Sequence, residues 1–425
     1  MKILVITRNA WDDTNAIGNT ISNFFQDVNN IEFASIYFRS SAPNNKLCDN
    51  YFRSSEVEII KKWFRPDEIG EHFHLSLPNE DKHAERKNCE KQAVRWIQRC
   101  GISLAYKISD YLWYSEKWSN EKLDRFIESF SPDMMVTFVK SAPQYYLTVK
   151  HLREKFNIPL FSWIADDEYT GLLHKNRQKE IENLKYILKE SAVVRGCTKE
   201  LCDYYNSIFE CEAEPLYKSC ARFAPLIEKK ASSITMVYAG NLLYGRLDII
   251  CAIADELKNI MLENNIEVHL DVYSNTTLLA HEEKKYFKTR PHIRYLGKKG
   301  YDYVQERLAG ADIVLHVESF ERNQILKTKY SFSTKIIDYL QSGSVVLAVG
   351  PEELASMKYI RSIPGTYVIN SMDRLSEEMM SILNNTSDYL LRAARIREFA
   401  QQNHSTAAAA REMARIIERT MGRRQ

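Results

Sequence analysis

The chain has 425 residues, 44% hydrophobic and 27% charged, enough for two domains of ordinary size with buried cores. Its 58 Lys and Arg against 56 Asp and Glu leave a net charge of +2, which gives no reason to expect a general nucleic-acid binder. No run of roughly eighteen apolar residues occurs, so no membrane-spanning helix is expected, and the eight cysteines include no C-x-x-C pair, which favours reduced thiols over a zinc site.

Lys2–Thr7 reads as a buried first strand rather than a signal region. The loop from Arg8 to Ala16 leads to Gly18-Asn19-Thr20, which opens a helix running to about Gln26. Ile31–Phe38 is a second strand, and residues 39–83 read as irregular, with Trp63, His72 and His74 among them. The two histidines suit one face of a strand but have no acidic network beside them to give them chemistry. Residues 84–118 read as helical and interleave bases with aromatics, among them Arg95, Trp96, Arg99, Tyr111, Trp113, Lys117 and Trp118. That pattern fits an amphipathic helix packed on its own domain, or a face resting on an anionic membrane.

A helix Asn120–Phe130, a strand Met134–Val139, a helix Pro143–Phe156 and a strand Leu160–Ala165 follow. The last strand ends in Asp166-Asp167-Glu168-Tyr169. Carboxylates at the carboxyl end of a parallel strand sit where α/β proteins place ligands, so Asp166 or Asp167 is a candidate general base; a solvated capping cluster for a helix near Gly171 is the alternative. Ala192–Arg195 is a strand and Lys199–Phe209 a helix. Residues 211–230, with Pro215 and Pro225, lack periodicity and read as the linker between a domain 1–222 and a domain 223–400, with 401–425 a terminal helix.

The second half opens with the strand Ile234–Ala239, which runs into Gly240-Asn241-Leu242-Leu243-Tyr244-Gly245-Arg246 and a helix to about Leu262. Glycines there permit close backbone approach, and an Arg can grip an anion with two N–H groups. Val268–Tyr273 is a strand ending in Ser274-Asn275, where a sugar or phosphate could sit. His292–Leu296, a helix Tyr301–Leu308, the strand Asp312–Val317 and a long loop 318–330 holding Arg322, Lys327 and Lys329 come next. The stretch Tyr330–Gly350 then reads as loop, helix and buried strand: Ser331, Ser333 and Thr334 supply capping hydroxyls, and Ser342-Gly343 stops the helix. The amino end of that helix can hold phosphate, and Asp338, one turn inside, can accept from a sugar hydroxyl. Two such turns, about ninety residues apart, one with Arg and one with Lys335, point to a diphosphate site. Strands alternate with helices in both halves, which implies two Rossmann-like, doubly wound parallel sheets facing a cleft.

GNLLYGR with its long helix, ADIVLHVESF and FSTKIIDYLQSG, in that order, resemble the C-terminal half of a GT-B glycosyltransferase, nearest to the family-4-like enzymes of bacterial capsule and O-antigen assembly. The resemblance implies an α/β GT-B fold in which Arg246 contacts the donor diphosphate and Asp338 the donor ribose. It implies a donor site made of Gly240, Asn241, Arg246, Ser274, Asn275, Tyr330, Ser331, Phe332, Ser333, Thr334, Lys335 and Asp338. Gly18 and Asn19 would face the donor or acceptor, and the terminal helix would cross back to the first domain. The sequence departs from the pattern where Tyr330 holds the place of a Glu, Ser331 and Ser333 the places of glycines, and Asp338 that of a Glu. Glu318, directly after an apolar run, is then the candidate acid beside the reacting sugar, with Asp166 or Asp167 on the acceptor side. The expected activity is metal-independent transfer, with retention of configuration, from a nucleotide-diphospho-sugar (UDP-linked) to a saccharide or lipid-linked acceptor. It needs no further cofactor and takes place in the cytoplasm, with peripheral contact to the inner membrane face. The alternatives are a catalytically inactive sugar-nucleotide-binding module, motivated by Tyr330, and a sugar-nucleotide epimerase.

Overall fold

The computed structural model describes residues 1–75, 102–226, 233–264, 266–276 and 281–422. The chain divides into two compact units, Met1–Leu216 together with Ala410–Gln425, and Tyr217–Ala409.

The first unit is built on eight strands: β1 (Lys2–Thr7), β2 (Glu32–Tyr37), β3 (Asn50–Arg53), β4 (Glu71–His74), β5 (Met134–Phe138), β6 (Leu160–Ile164), β7 (Ser191–Gly196) and β8 (Glu214–Pro215). Their order across the sheet is β4-β3-β2-β1-β5-β6-β7-β8. β1 pairs in parallel with both β2 and β5, Ile3 lying opposite Phe33 on one side and Met134 on the other. Every residue of β5 and β6 is buried, as continuous apolar runs are when helices cover both faces of a parallel sheet.

Two local expectations are corrected here, and one helix is added that the sequence leaves unassigned. The stretch 39–75 is ordered: it forms β3, a helix Glu56–Lys61, a turn of 3-10 helix at Pro66–Glu68 and the antiparallel edge strand β4. Its strands are short and carry Arg53, His72 and His74 instead of apolar runs. Arg53 is buried and ion-paired to Glu71 at 3.1 Å and Glu58 at 3.7 Å, and the rings of His72 and His74 lie 5.1 Å apart on one face. Second, the first helix begins at Ala16, not at Gly18, because the Asn15 side chain caps it by accepting from the Gly18 N–H at 2.9 Å. The added helix, Gln178–Glu190, precedes β7 without a capping side chain to announce it.

Of the aromatic and basic stretch 84–118, residues 84–101 lie outside the described residues. The described part forms a helix Ile102–Tyr114 whose Trp113 is buried and donates to Glu56 at 3.2 Å, while Trp118 donates to the Trp113 carbonyl at 2.9 Å. Trp63 stacks on Tyr111 and takes Lys117 over its face. No helix among the described residues is long and apolar enough to cross a membrane. Arg195, buried at the end of β7, bonds Glu412 at 2.5 Å and pairs with Glu214, which ties residues of the terminal helix Thr406–Gly422 into the first unit.

The second unit is an all-parallel sheet of β9 (Ile234–Ala239), β10 (Val268–Tyr273), β11 (Ile293–Gly297), β12 (Ile313–Val317), β13 (Val345–Val349) and β14 (Tyr367–Ile369), in the order β11-β10-β9-β12-β13-β14. The helix Arg246–Asn264 covers one face through Ile250, Ile253, Leu257 and Ile260, all fully buried and three or four residues apart. Each such side chain contributes about 1.5–3 kcal/mol by leaving water. The opposite face is covered by Ile336, Ile337, Tyr339 and Leu340 of the helix Lys335–Gln341. The chain leaves β9 toward β10 and β11, then returns to the other side for β12, β13 and β14. The direction of winding therefore switches between β9 and β12, and such a switch opens a crevice at the carboxyl ends of the two strands.

Candidate functional site

Beyond β9 the chain turns through Gly240–Gly245 and enters its helix at Arg246. Gly240 lies against the Tyr238 hydroxyl: a Cβ there would come within 2.7 Å of it. That hydroxyl donates to the Asn241 carbonyl at 2.5 Å and so draws the turn back over the strand end. Tyr244 and Gly245 both have positive φ, 60° and 73°. At Gly245 a Cβ would stand 2.5 Å from the Ser319 Oγ, so glycine is required twice over, by conformation and by space. Leu242 N–H donates to the Thr276 hydroxyl at 2.9 Å, and Thr276 N–H donates to Ser274 Oγ at 3.1 Å. Ser274 thus braces the turn from beneath while Asn275 is exposed.

This turn delivers the Arg246 guanidinium to Glu318, the first residue after β12. Nε donates to Oε2 at 3.2 Å, and Nη2 donates to Oε1 at 2.9 Å and Oε2 at 3.0 Å. Nη1 donates to the Asn241 side-chain oxygen at 2.7 Å. Only 4% of the Glu318 side chain and 12% of that of Arg246 is exposed. Burial raises the Glu318 carboxyl above its ordinary range, and Arg246 opposes that; the side-on geometry is that of an ionised pair. His316 lies behind the carboxylate, Nε2 at 3.5 Å from Oε1 and without a hydrogen bond. Burial, and then the nearby Arg246, push its pKa down to about 3, so it is neutral.

The segment 318–330 differs from its reading as one long loop, since Arg322–Thr328 is helical. Thr334 precedes the helix Lys335–Gln341 with φ −59° and ψ −17°, helical values that leave its hydroxyl making no cap bond. The expected side-chain cap is therefore absent, and the turn is closed by the Ile336 N–H donating to the Ser333 carbonyl at 3.0 Å. Phe332 packs between Tyr217 and Tyr359, both ring centroids 5.1 Å away, and Tyr330 carries Lys329 over its ring. Ser331 donates its N–H to the Thr328 carbonyl at 2.9 Å. Asp338 is buried, accepts from the Tyr301 hydroxyl at 3.2 Å and lies 3.3 Å from Lys335 Nζ.

Several bonds hold these pieces at one strand edge. Tyr339 donates its hydroxyl proton to the Ala239 carbonyl at 2.9 Å, and Glu318 N–H donates to the Val349 carbonyl at 2.9 Å. Gly350 is packed on Glu318, where a Cβ would come within 2.9 Å of the Glu318 Cβ. Arg246, Glu318, Lys335 and Asp338 thus share the carboxyl ends of β9, β12 and β13. Lys218 joins them from the start of the unit. Tyr217 touches Phe332 and the Cys220 Sγ lies 3.8 Å from the Ile337 carbonyl, which places Lys218 between two contacts to this loop and helix. Burial lowers its pKa, against the pull of Asp338. The sequence singles out none of Lys218, Tyr301 and His316 as a site residue; only the placement of Lys218 and Tyr301 beside Asp338 marks them.

The remaining candidates belong to the first unit. Gly18 is buried, and a Cβ there would meet the Asp12 carbonyl oxygen at 2.1 Å, so this glycine serves close packing of the loop on its helix. Asn19 lies inside the first helical turn, its N–H donating to the Asn15 carbonyl at 3.0 Å. Asp166 is exposed, whereas Asp167 accepts from Thr170 N–H at 3.2 Å and the Tyr205 hydroxyl at 3.4 Å, a capping role. Glu168 is bonded by Lys140 and by the Ser141 N–H, both at 2.8 Å. Lys140 follows β5 beside the winding switch between β1 and β5, a signal that strand ends in the sequence already offered. Among the described residues no group of three or more His, Cys, Asp or Glu is placed to hold a metal ion, and the cysteines found there are free thiols.

No family profile and no curated protein matches the chain. Solved structures do. HepE of Anabaena in complex with UDP superposes with a TM-score of 0.61 at 11% identity, over 98% of this chain and 100% of that one. Sucrose-phosphate synthase of Thermosynechococcus elongatus gives 0.61 at 11% identity, over 100% of both chains. The UDP-forming trehalose-phosphate synthase of Burkholderia xenovorans, with glucose-6-phosphate, gives 0.59 at 10% identity, over 98% and 99%. The fold in common is GT-B, two Rossmann-like parallel-sheet domains in one chain.

Proposed function

We propose that a chain with this fold and this strand edge is a glycosyltransferase that moves a sugar from a nucleotide-diphospho-sugar, UDP-linked, to a saccharide or lipid-linked saccharide acceptor in surface-polysaccharide assembly. The observation that carries the reading is Arg246, held rigid at the switch between β9 and β12 with Lys335 and Asp338 beside the same strand ends. In transfer, the bond between the sugar's anomeric carbon and the β-phosphate oxygen breaks, and the acceptor oxygen takes the carbon. Negative charge then gathers on the departing diphosphate. Fixed cations aimed at that charge act without reorganising, and such stabilisation is usually the main source of rate in a site of this kind. Arg246 and Lys335 fill this role, and Asp338 receives the ribose hydroxyls in exchange for the Tyr301 hydroxyl. This chemistry asks for no metal or further cofactor. On the first unit, exposed Asp166 is the candidate base for the acceptor hydroxyl. That HepE was solved with UDP and the trehalose-phosphate synthase is UDP-forming supports uridine as the donor's nucleoside. The location we propose is cytoplasmic, at the inner membrane face where a lipid-linked acceptor would lie.

The test is calorimetric titration with UDP. Wild type binds, and Arg246→Ala loses most of its affinity; unchanged affinity rejects the phosphate role. A second reading, a sugar-nucleotide-binding module without turnover, is favoured by Tyr330 at the place of an acid. Release of UDP from UDP-glucose, with or without acceptor, rejects that reading.

A further inference from the structure

We propose that Glu318 is the residue that aims Arg246 at the ligand's phosphate, and not the acid beside the reacting sugar. The inference rests on the reading of this edge as a nucleotide-diphosphate site. A guanidinium offers two edges that can each grip an anion with a pair of parallel N–H groups. Glu318 occupies the Nε–Nη2 edge side-on, with contacts of 2.9, 3.0 and 3.2 Å. Asn241 takes one N–H of Nη1 at 2.7 Å, which prevents rotation about the remaining bond. The Nη1–Nη2 edge is the one left for a phosphate, on the side of the exposed Asn241.

The surroundings of Glu318 keep it there. Gly350 packs on its Cβ, Val349 holds its backbone N–H, and the neutral ring of His316 backs the carboxylate at 3.5 Å. The charged and titratable groups facing the pair are Arg246 and Tyr244 from the turn and its helix, Tyr238 from β9, and His316 from β12. Of these, Arg246 alone is a cation at neutral pH. A carboxylate that turned toward a sugar would give up its one counter-charge inside a closed site. The guanidinium, in turn, would lose the partner that keeps its planar fork from folding back on Tyr244, whose ring centroid is 5.6 Å from its Cζ.

UDP carries the diphosphate but no sugar, so it separates the two roles of Glu318. If Glu318 aims Arg246, Glu318→Gln weakens UDP binding roughly tenfold to a hundredfold, the loss of one charge-assisted contact. Arg246→Lys, which keeps the charge but not the fork, gives a similar loss, and Glu318→Gln on that background adds little. Uridine, which lacks the phosphates, binds wild type and Glu318→Gln equally by NMR titration, which a collapsed site would not do. The inference is overturned if Glu318→Gln binds UDP as wild type does while its release of UDP from UDP-glucose falls, or if the two substitutions add in full. Wild type failing to bind UDP, GDP or dTDP sinks the nucleotide reading itself, a different outcome from either.

Discussion

Replacing Arg246 by Met strands a buried charge, and the size of that effect follows from the geometry. Met keeps the bulk of the stem and removes two donor nitrogens, and with them three contacts, from a Glu318 side chain that is 4% exposed. His316 Nε2 stays 3.5 Å away, on a neutral ring that makes no hydrogen bond to the carboxylate. Breaking a buried pair by removing one partner costs about 3–5 kcal/mol, most of it the penalty of the orphaned ion. Adding Glu318→Gln removes the ion, so the double variant regains at least about 2 kcal/mol over Arg246→Met. The pH dependence has a definite sign. Burial already raises the Glu318 carboxyl above 4.5, and losing Arg246 raises it further. A raised acid contributes its full stability below its unfolded pKa and loses it as pH rises through the folded one. The gap between Arg246→Met and wild type therefore narrows on going from pH 8 to pH 5, by up to about 1.4 kcal/mol per pH unit for one coupled proton. Uptake of that proton by His316 instead of Glu318 narrows the gap in the same direction. Hydrogen exchange of β9 and β12 peptides reads this locally. All six tryptophans lie between Trp11 and Trp163, so fluorescence reports the first unit as an internal control. A variant within about 1 kcal/mol of wild type, with a gap that ignores pH, would mean the pair is effectively solvated and the reasoning wrong.

Acid should also loosen the second unit through His404, which is 3% exposed, donates from Nδ1 to the Lys218 carbonyl at 3.2 Å, and meets the Tyr359 hydroxyl at Nε2. Burial lowers its pKa from 6.5 to about 4, so stability is lost as pH falls from 6.5 toward 4, by about 3 kcal/mol at full extent; His404→Gln flattens that fall in exchange of the helix Tyr389–His404. Gly18→Ala tests close packing in the first unit. Helix propensity favours Ala by about 1 kcal/mol, but its Cβ would stand 2.1 Å from a backbone oxygen of Asp12, so a net loss of about 1–3 kcal/mol is expected in urea unfolding followed by tryptophan fluorescence.

The two-sheet architecture was legible because parallel sheets covered on both faces need continuous apolar strands, and Ile3–Ile6, Met134–Phe138, Val345–Val349 and their like stand out against amphipathic helices. What failed was the edge of the first sheet. Arg53 closes β3 as a buried ion held by Glu58 and Glu71, and a four-residue strand that ends on an arginine is too short to show an apolar run. Strand order was hidden for a different reason. Alternation of strands and helices says that crossovers occur, but not on which side each strand is added, and the placing of β12 beside β9 is what creates the crevice.

The same distinction applies within the site. Arg246 could be picked from sequence because the glycines that let the chain turn are its neighbours. Its partner lies 72 residues away, and pairing across that separation is a property of strand order alone. Reading Glu318 by its position after an apolar run suggested an acid free to act. The fold brings a guanidinium to it from the turn that follows the adjacent strand, and a buried carboxylate bound side-on by Arg is held to that contact. With Tyr330 in the other place where an acid was expected, the proposed transfer relies on how firmly cations meet the charge leaving with the nucleotide. A site of that kind is degraded by anything that lets Arg246 swing. Asn241 and Glu318, which hold the guanidinium by Nη1 and by its Nε–Nη2 edge, then matter to the proposed reaction as much as the residues that face the ligand.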